Sequence, residues 1–440
     1  MWSAILFRQY LRLAIPTVLA AWVYSAYAFI DGVFIGRYVG STGLAAFNLI
    51  VPFLYIPYAL SVMVGVGGAT LVARLLGAGE ARAAAAAFTQ SCCLLCVLGL
   101  ACSLALGLGA GWLVEMVVPP GPMRAYAESY LQIAAGFTLF ATLSYALELF
   151  LRVEGAASYG LLCLCIGALL NIGLDYLFIV EFSYGMRGAA WATGISHAVA
   201  ALLMLSYHVW RAAHLRLVSH AFEQVNVLAQ IAYNGLSELL GELAPAFTIL
   251  AFNWVIAGQL GQAGLVAYAV LEYLTIAAVV TMVALVQSMQ TLVSFQRGAG
   301  EWQALRSAMH IGALCVLLFA AGAMLLMWTQ SDQLIVWLLP GEHAEAWDIL
   351  GTAVPWYALA FIPAGANLLI SGYFTAIEAP LRSTVIALLR SFVLLLAALC
   401  LLVAWMGASG IWFALLLAEI LTLVLSAWLY RRHLLENNFV

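Results

Sequence analysis

The tetrapeptide Gly77-Ala78-Gly79-Glu80 returns as Gly298-Ala299-Gly300-Glu301, 221 positions later (298 − 77) in a chain of 440 residues. Each copy follows a long apolar segment with an arginine near its end, Arg74 or Arg297. Each precedes an alanine-containing stretch with a further arginine, Arg82 or Arg306. One tetrapeptide means little; matched flanks at a half-length offset read as a duplication. Weaker echoes keep offsets of 222 to 224: Arg152-Val153-Glu154-Gly155 against Ala376-Ile377-Glu378-Ala379, and Gly185-Met186-Arg187-Gly188 against Gly407-Ala408-Ser409-Gly410. In a membrane protein, two similar halves point to a transporter whose site lies between them.

Composition makes this a membrane protein. Hydrophobic residues are 66% of the chain, charged residues 8%, and the mean hydropathy is +1.05. So few charges cannot cover a soluble globule of this size. The apolar runs match helices crossing a hydrocarbon core of about 30 Å, and the short alternating strands of an outer-membrane barrel are missing. The first run follows Arg8 and Arg12 and is too long for a cleavable signal peptide. The eight cysteines, Cys92, Cys93, Cys96, Cys102, Cys163, Cys165, Cys315 and Cys400, all fall in apolar segments and read as small packing residues. Cys92-Cys93-Cys96 lacks further ligands at metal-binding spacing.

Hydropathy predicts an all-α polytopic membrane protein with twelve spans: 13–36, 44–73, 88–114, 129–151, 160–180, 187–210, 231–257, 263–293, 307–329, 348–375, 383–405 and 408–430. They group into two pseudo-symmetric six-helix lobes, 1–210 and 231–440, joined by a polar cytoplasmic linker, 211–230. All basic residues are arginine, and all but Arg37, Arg124 and Arg187 fall on one side. That side is cytoplasmic and carries both termini. An even number of spans per half relates the halves by an axis along the membrane normal. No Walker-type phosphate loop appears, so neither ATP nor enzymatic chemistry is expected; an acidic net charge of −4 gives no reason to invoke nucleic acid.

An ionisable side chain inside a span costs a few kcal/mol and needs a reason. Asp31 in span one and Asp175 in span five lie at similar depth near the outer ends. Tyr27 stands one turn before Asp31, and Asn171 one turn before Asp175, so each pair shares a helical face. Facing one another, these groups would form an oxygen-rich pocket able to take a proton or Na⁺; the bland alternative is that Asp31 pairs at the outer surface. Pro16, early in span one, removes a helix hydrogen bond and permits bending. Glu238 and Glu242 in span seven, and Glu272 in span eight beside Tyr268 and Tyr273, could hold a cationic substrate with help from the rings, or simply serve the helix bundle. Arg390 and Glu419 are expected to form a structural ion pair. Glu148 is expected to face cytoplasmic water.

The chain resembles the multidrug and toxic compound extrusion (MATE) family. The likeness rests on Ile15-Pro16 through Asp31-Gly32 and Gly36, Pro52, Arg74 through Gly79, Arg152-x-Glu154-Gly155, Asn171-x-x-x-Asp175 and Gly185 through Ala190. The second half adds Ser237-Glu238, Asn253, Ser294 and Gly298 through Gly300. The resemblance implies two six-helix lobes around a central cleft, and antiport of H⁺ or Na⁺ against an organic, often cationic, compound. In the DinF-like branch it implies a first-lobe ion site of Tyr27, Asp31, Asn171, Asp175 and Thr193, with Pro16 as the helix-one proline. The NorM-like branch uses acids on helices seven and ten; here Glu238 and Glu242 are present, but helix ten offers only Asn367. No cofactor beyond the coupling ion is implied. The partners expected are a small organic substrate and the lipid bilayer, the protein acting as a monomer in the bacterial cytoplasmic membrane.

A flippase for a lipid-linked or metabolite substrate is the main rival. Its anionic cargo favours a basic cavity, whereas Arg390 is the only deeply placed base. A channel or receptor needs no paired aspartates, and a major-facilitator transporter would carry a different loop after span two. At the offset of 221, Asp31 falls on Phe252 and Asp175 on Leu396: the scaffold is duplicated and the acid pair is not.

Overall fold

The computed structural model describes residues 2–219, 221–223, 226–338 and 344–436, and no strand occurs among them. The helices are α1 (Trp2–Phe34), α2 (Ser41–Gly77), α3 (Ala81–Val117), α4 (Pro122–Val153), α5 (Ala157–Asp175), α6 (Gly185–Trp210), α7 (Asn226–Asn234), α8 (Leu236–Gly298), α9 (Trp302–Thr329), α10 (Ser331–Leu338), α11 (Ala344–Ala376), α12 (Pro380–Leu388), α13 (Leu394–Met406) and α14 (Ser409–Glu436). Short π-helical turns follow α1 (Ile35–Val39) and α5 (Tyr176–Glu181) and join α12 to α13 (Leu389–Val393).

Among the described residues, eleven apolar helical stretches are long enough to cross a bilayer. One of them contains α8, whose 63 residues would run about 95 Å as a single rod, three times the hydrocarbon core. It breaks at Gly261, at φ 61° and ψ −149°, a conformation open essentially only to glycine. α8 therefore holds spans seven and eight, and the count among the described residues is twelve. Surface chemistry agrees. Val97, Leu100, Leu104, Leu108 and Trp112, at spacings of three and four on α3, are each more than half exposed, a continuous apolar stripe suited to lipid rather than water.

The duplication is legible bond by bond. Gly79 (φ 78°) and Gly300 (φ 71°) close α2 and α8. In the first loop Gly79 N–H donates to Leu76 O and Glu80 N–H to Leu75 O, at 3.0 and 2.9 Å. In the second, Gly300 N–H donates to Arg297 O and Glu301 N–H to Gln296 O, at 3.2 and 3.0 Å. Both are the paired end-of-helix bonds of a Schellman cap, and each acceptor is displaced by the same 221. The left-handed positions Gly40, Gly79, Gly155 and Gly185 recur at Gly261, Gly300, Glu378 and Gly407. The recurrence refines the register: after span ten it is Glu378, not Ala379, that matches Gly155. The two repeated loops also touch. A Cβ on Gly77 would meet the Phe295 carbonyl, and one on Gly298 would meet the Arg74 carbonyl. Position 295 is position 74 advanced by 221, so the contact is reciprocal, and only glycine admits it.

The chain forms two compact units. One is Leu11–Leu239 with Ser294–Glu301; the other is α1 up to Tyr10, Leu240–Val293 and the chain from Trp302 onward. Relative to a division at 1–210 and 231–440, short segments change sides. The start of α1 joins the second unit, where Tyr10 Oη donates to Leu285 O at 3.1 Å. The second Gly-Ala-Gly-Glu loop joins the first unit through the glycine contact just described.

The expected linker is fastened to the first unit. The Glu154 carboxylate accepts three successive backbone N–H groups, from Ala213, His214 and Leu215, at 2.7, 2.9 and 2.9 Å. Val218 N–H donates to Thr89 Oγ1 at 3.1 Å, and Gln90 donates to Ala221 O. Ala212, Leu215 and Ala221 are buried. Residues 220, 224 and 225 of the linker lie outside the described residues.

Candidate functional site

Three helices of the first unit bring the site together. α1 carries Tyr27 and Asp31, α5 carries Asn171 and ends on Asp175, and α6 carries Thr193. Asn171 and Asp175 are fully buried and Asp31 is 4% exposed. Asp31 and Asp175 lie close enough for each carboxyl to act on the other, with Thr193 beside Asp31. Asn171 Nδ2 donates to Thr193 Oγ1 at a long 3.5 Å, and Tyr130 of α4 lies beside Thr193. Both helices that carry the acids pass into π-turns just beyond them, a distortion of the helix ladder that is frequent at functional sites.

Asp31 Oδ1, both carboxyl oxygens of Asp175 and Asn171 Oδ1 are buried without a protein hydrogen-bond donor. Each unsatisfied buried polar atom costs about 1–3 kcal/mol, and more for charged groups. Two facing carboxylates supply each other with no donor at all. These carboxylate, amide and hydroxyl oxygens are hard donors of the kind that suit a proton or a small cation.

Tyr27 lies near enough to Asp31 to feel its charge and is engaged on another side as well. Its hydroxyl meets His197 Nε2 at 2.9 Å. His197 stands one turn after Thr193 on α6, its ring 5.3 Å from that of Tyr145 and its Nδ1 3.3 Å from Ser144 Oγ. A small cavity beside it is lined by Tyr24, Tyr27, Leu164, Gly167, Ser196 and His197. The sequence carried a signal for this residue: an ionisable side chain inside span six, spaced i, i+4 from Thr193.

In the second unit Glu419 is 2% exposed; Arg390 Nε donates to it at 2.7 Å and Asn367 Nδ2 at 2.8 Å. The expected ion pair is thus formed, and Asn367 is committed to it. Glu272 stands one turn after Tyr268 on α8 and beside it, and the Tyr268 ring stacks on Phe252 at 5.5 Å. Glu238 and Glu242 lie half-buried on the first two turns of α8, the former in the first unit and the latter in the second. Glu148 does not face water: it is buried in an ion pair with Arg152 on the same helix. An i, i+4 acid–base spacing at a helix end was the available clue. Pro16 is buried within α1.

Twelve apolar spans built from a repeated half, with facing acids buried between helices, define a polytopic membrane transporter. A model of the MatE family matches the chain in two segments, 16–177 and 245–402, and the chain belongs to that family. Curated relatives include the multidrug export protein MepA of Staphylococcus saprophyticus, 22% identical over 94% of this chain and 91% of that protein. The MepA of Staphylococcus aureus strain MRSA252 is 24% identical over the same shares. Two solved structures share the fold, each at 20% identity. A MOP superfamily transporter from Pyrococcus furiosus has a TM-score of 0.91 over 97% of this chain and 96% of that one. The Vibrio cholerae MATE transporter VcmN has 0.92 over 99% and 97%.

Proposed function

We propose that this protein is a secondary antiporter that exports organic, drug-like cations in exchange for H⁺ or Na⁺ across the bacterial cytoplasmic membrane. One observation carries the reading: the carboxyls of Asp31 and Asp175 face one another, buried, with oxygens that no protein donor reaches. A proton or Na⁺ bound there satisfies Asp31, Asp175, Asn171 and Thr193 together, and its departure leaves like charges opposed, which favours rearrangement of α1 against α5. Pro16 gives α1 a point at which to bend. Glu272 with Tyr268 and the half-buried Glu238 and Glu242 suit a cationic substrate, since carboxylates and ring faces both attract organic cations. The relatives named for multidrug export support the same reading. The flippase alternative draws nothing from Arg390, which Glu419 neutralises.

The test is transport of ethidium in proteoliposomes under separately imposed pH and Na⁺ gradients. The wild type is expected to export it against one of them. Asp31→Asn is expected to abolish gradient-driven export while the protein still folds. A variant that couples as the wild type does removes the basis of the proposal.

A further inference from the structure

A cleft in the second unit has a counterpart in the first that protein fills. It lies at the arginine-rich end of α9, α11 and α14, with buried Leu305, Met309 and Tyr373 as its floor. Trp302, Arg306, Tyr430 and Leu434, each at least partly exposed, form its rim. The repeat offsets are 221 at the Gly-Ala-Gly-Glu loops, 223 at the end of the fourth span and 222 for the sixth. They pair Arg306 with Ala85, Met309 with Phe88, Tyr373 with Phe150, Tyr430 with His208 and Leu434 with Ala212. In the first unit Phe88 holds the rings of Phe150 and His208 at 5.1 and 4.5 Å; in the second, the rings of Tyr373 and Tyr430 meet at 5.2 Å.

In the first unit the linker lies over these rings. His208 Nδ1 donates to Leu215 O at 3.0 Å. Leu215 is buried in one cluster with Phe88 and Phe150, and Ala85 and Ala212 are buried too. In the second unit α14 runs on as helix to Glu436, and among the described residues the cleft stays open. Where the covered half has buried Ala85, the open half has exposed Arg306. The cover that suits this surface is therefore apolar over the floor and anionic at the rim. Arg382, Arg431 and Arg432 reinforce the charge, the Glu436 carboxylate being shared between Arg382 and Arg432 at 2.8 Å each. Away from that end the exposed side chains turn apolar: Arg306, His310 and Leu314 along α9, Arg431, Trp428 and Val424 along α14. Spacings of three and four put each row on one helical face, and exposed Trp302 and Trp428 are of the type that marks a membrane interface.

We propose that an anionic phospholipid, from the leaflet on the arginine-rich side, occupies this cleft, with its phosphate at Arg306 and an acyl chain over Leu305, Met309 and Tyr373. Basic pockets between spanning helices suit such headgroups, and a guanidinium meets phosphate through two parallel N–H bonds. The lipid does for the second unit what the linker does for the first: it closes the cleft between the third, fourth and sixth helices of that half. Free phosphate shares the headgroup's charge but leaves the apolar floor uncovered. Occupancy is independent of what the protein transports.

Native mass spectrometry of the purified full-length protein in neutral detergent reads occupancy directly, with phosphatidylglycerol or phosphatidylcholine of the same chains added. The wild type should retain phosphatidylglycerol more tightly than phosphatidylcholine, by about fivefold or more, the contribution of at least one basic residue beside an anionic headgroup. Arg306→Gln should weaken phosphatidylglycerol by about fivefold on the same grounds and leave phosphatidylcholine unchanged. Arg82→Gln removes the same charge from an exposed position at the start of α3 and should change neither. Equal retention of the two lipids, or an equal effect of Arg82→Gln, overturns the site. Inorganic phosphate that displaces the lipid at matched concentration would make it a free-anion site. A lipid-free dimer that Arg306→Gln dissociates would make it an interface between copies. Either result overturns the lipid proposal.

Discussion

Replacing Gly298 by alanine tests the contact on which the repeat rests. The added Cβ would lie 2.7 Å from the Arg74 carbonyl carbon and 3.0 Å from Ala78 N, and also against the Arg74 oxygen. Ordinary contact begins near 3.4 Å, so the Arg74 peptide must retreat by at least 0.7 Å (3.4 − 2.7). It is backbone, and its oxygen already accepts Ala78 N–H at 3.0 Å in the turn that closes α2. No side chain can swing aside. Forcing a methyl into such a site costs about 1–3 kcal/mol. Gly77→Ala should cost a similar amount, since its Cβ meets Phe295 C at 2.9 Å and Ala299 N at 3.0 Å. The double variant should cost less than the sum, because parting the loops once makes room for both methyls. Gly136→Ala is the control: it meets nothing within 4 Å and sits inside α4, where alanine is the better helix former. Thermal unfolding in detergent, followed by size-exclusion of the surviving fraction, ranks the four. Gly298→Ala surviving as well as Gly136→Ala, or strict additivity of the pair, would refute the reasoning.

Two further outcomes follow from other contacts. Glu154→Gln loses the charge that collects the N–H groups of residues 213–215; the linker should open more often, and trypsin should cut at Arg211 and Arg216 roughly tenfold faster, as a loss of about 1.4 kcal/mol implies. An unchanged digestion rate would mean that buried Leu215 and Ala212 hold the segment without Glu154. Arg390→Met strands the carboxylate of Glu419 and should destabilise the second unit by about 3–5 kcal/mol, most of it recovered when Glu419→Gln is added, because the cost lies in the uncompensated charge. Equal melting of the single and double variants would contradict this.

The twelve spans were legible because lipid demands long uninterrupted apolar helices and the arginines mark one side. The meeting of Asp31, Asn171 and Asp175 was also legible, as acids in a span need partners and the spacing put each pair on one face. What the sequence concealed has a common cause. The fate of Tyr27, the burial of Glu148 and the docking of residues 211–221 are each decided by which of several polar neighbours wins a hydrogen bond. Such choices turn on distances of an ångström between helices far apart in the chain. Register was the other difficulty. A single offset of 221 holds for the Gly-Ala-Gly-Glu loops, whereas the left-handed residues show 223 before span eleven and 222 after it, so Asp175 corresponds to Ala397 or Ala398 rather than Leu396.

With that register, the two halves can be compared at the place where they diverge. Gly155 and Glu378 fix an offset of 223 at the end of the fourth span and the start of the fifth, and Gly185 and Gly407 an offset of 222 for the sixth. Ser144 then corresponds to Asn367, His197 to Glu419 and Gly167 to Arg390. In both halves the fourth and sixth helices are joined by a side-chain contact at the same point: Ser144 with His197 at 3.3 Å, Asn367 with Glu419 at 2.8 Å. In the second half the fifth helix fills the remaining space with the Arg390 guanidinium, and the acid is neutralised in place. In the first half glycine stands there, and a small cavity lies beside an imidazole instead. The same scaffold position is thus a closed ion pair in one half and, in the other, a titratable ring with room around it, hydrogen-bonded to the tyrosine that precedes Asp31. A buried ion pair of this kind is compensated in place, and removing either partner would strand a charge. Duplication supplied the frame twice; at this point one half holds an arginine–glutamate pair and the other a glycine and a histidine, and the pair of Asp31 and Asp175 lies in the latter half alone.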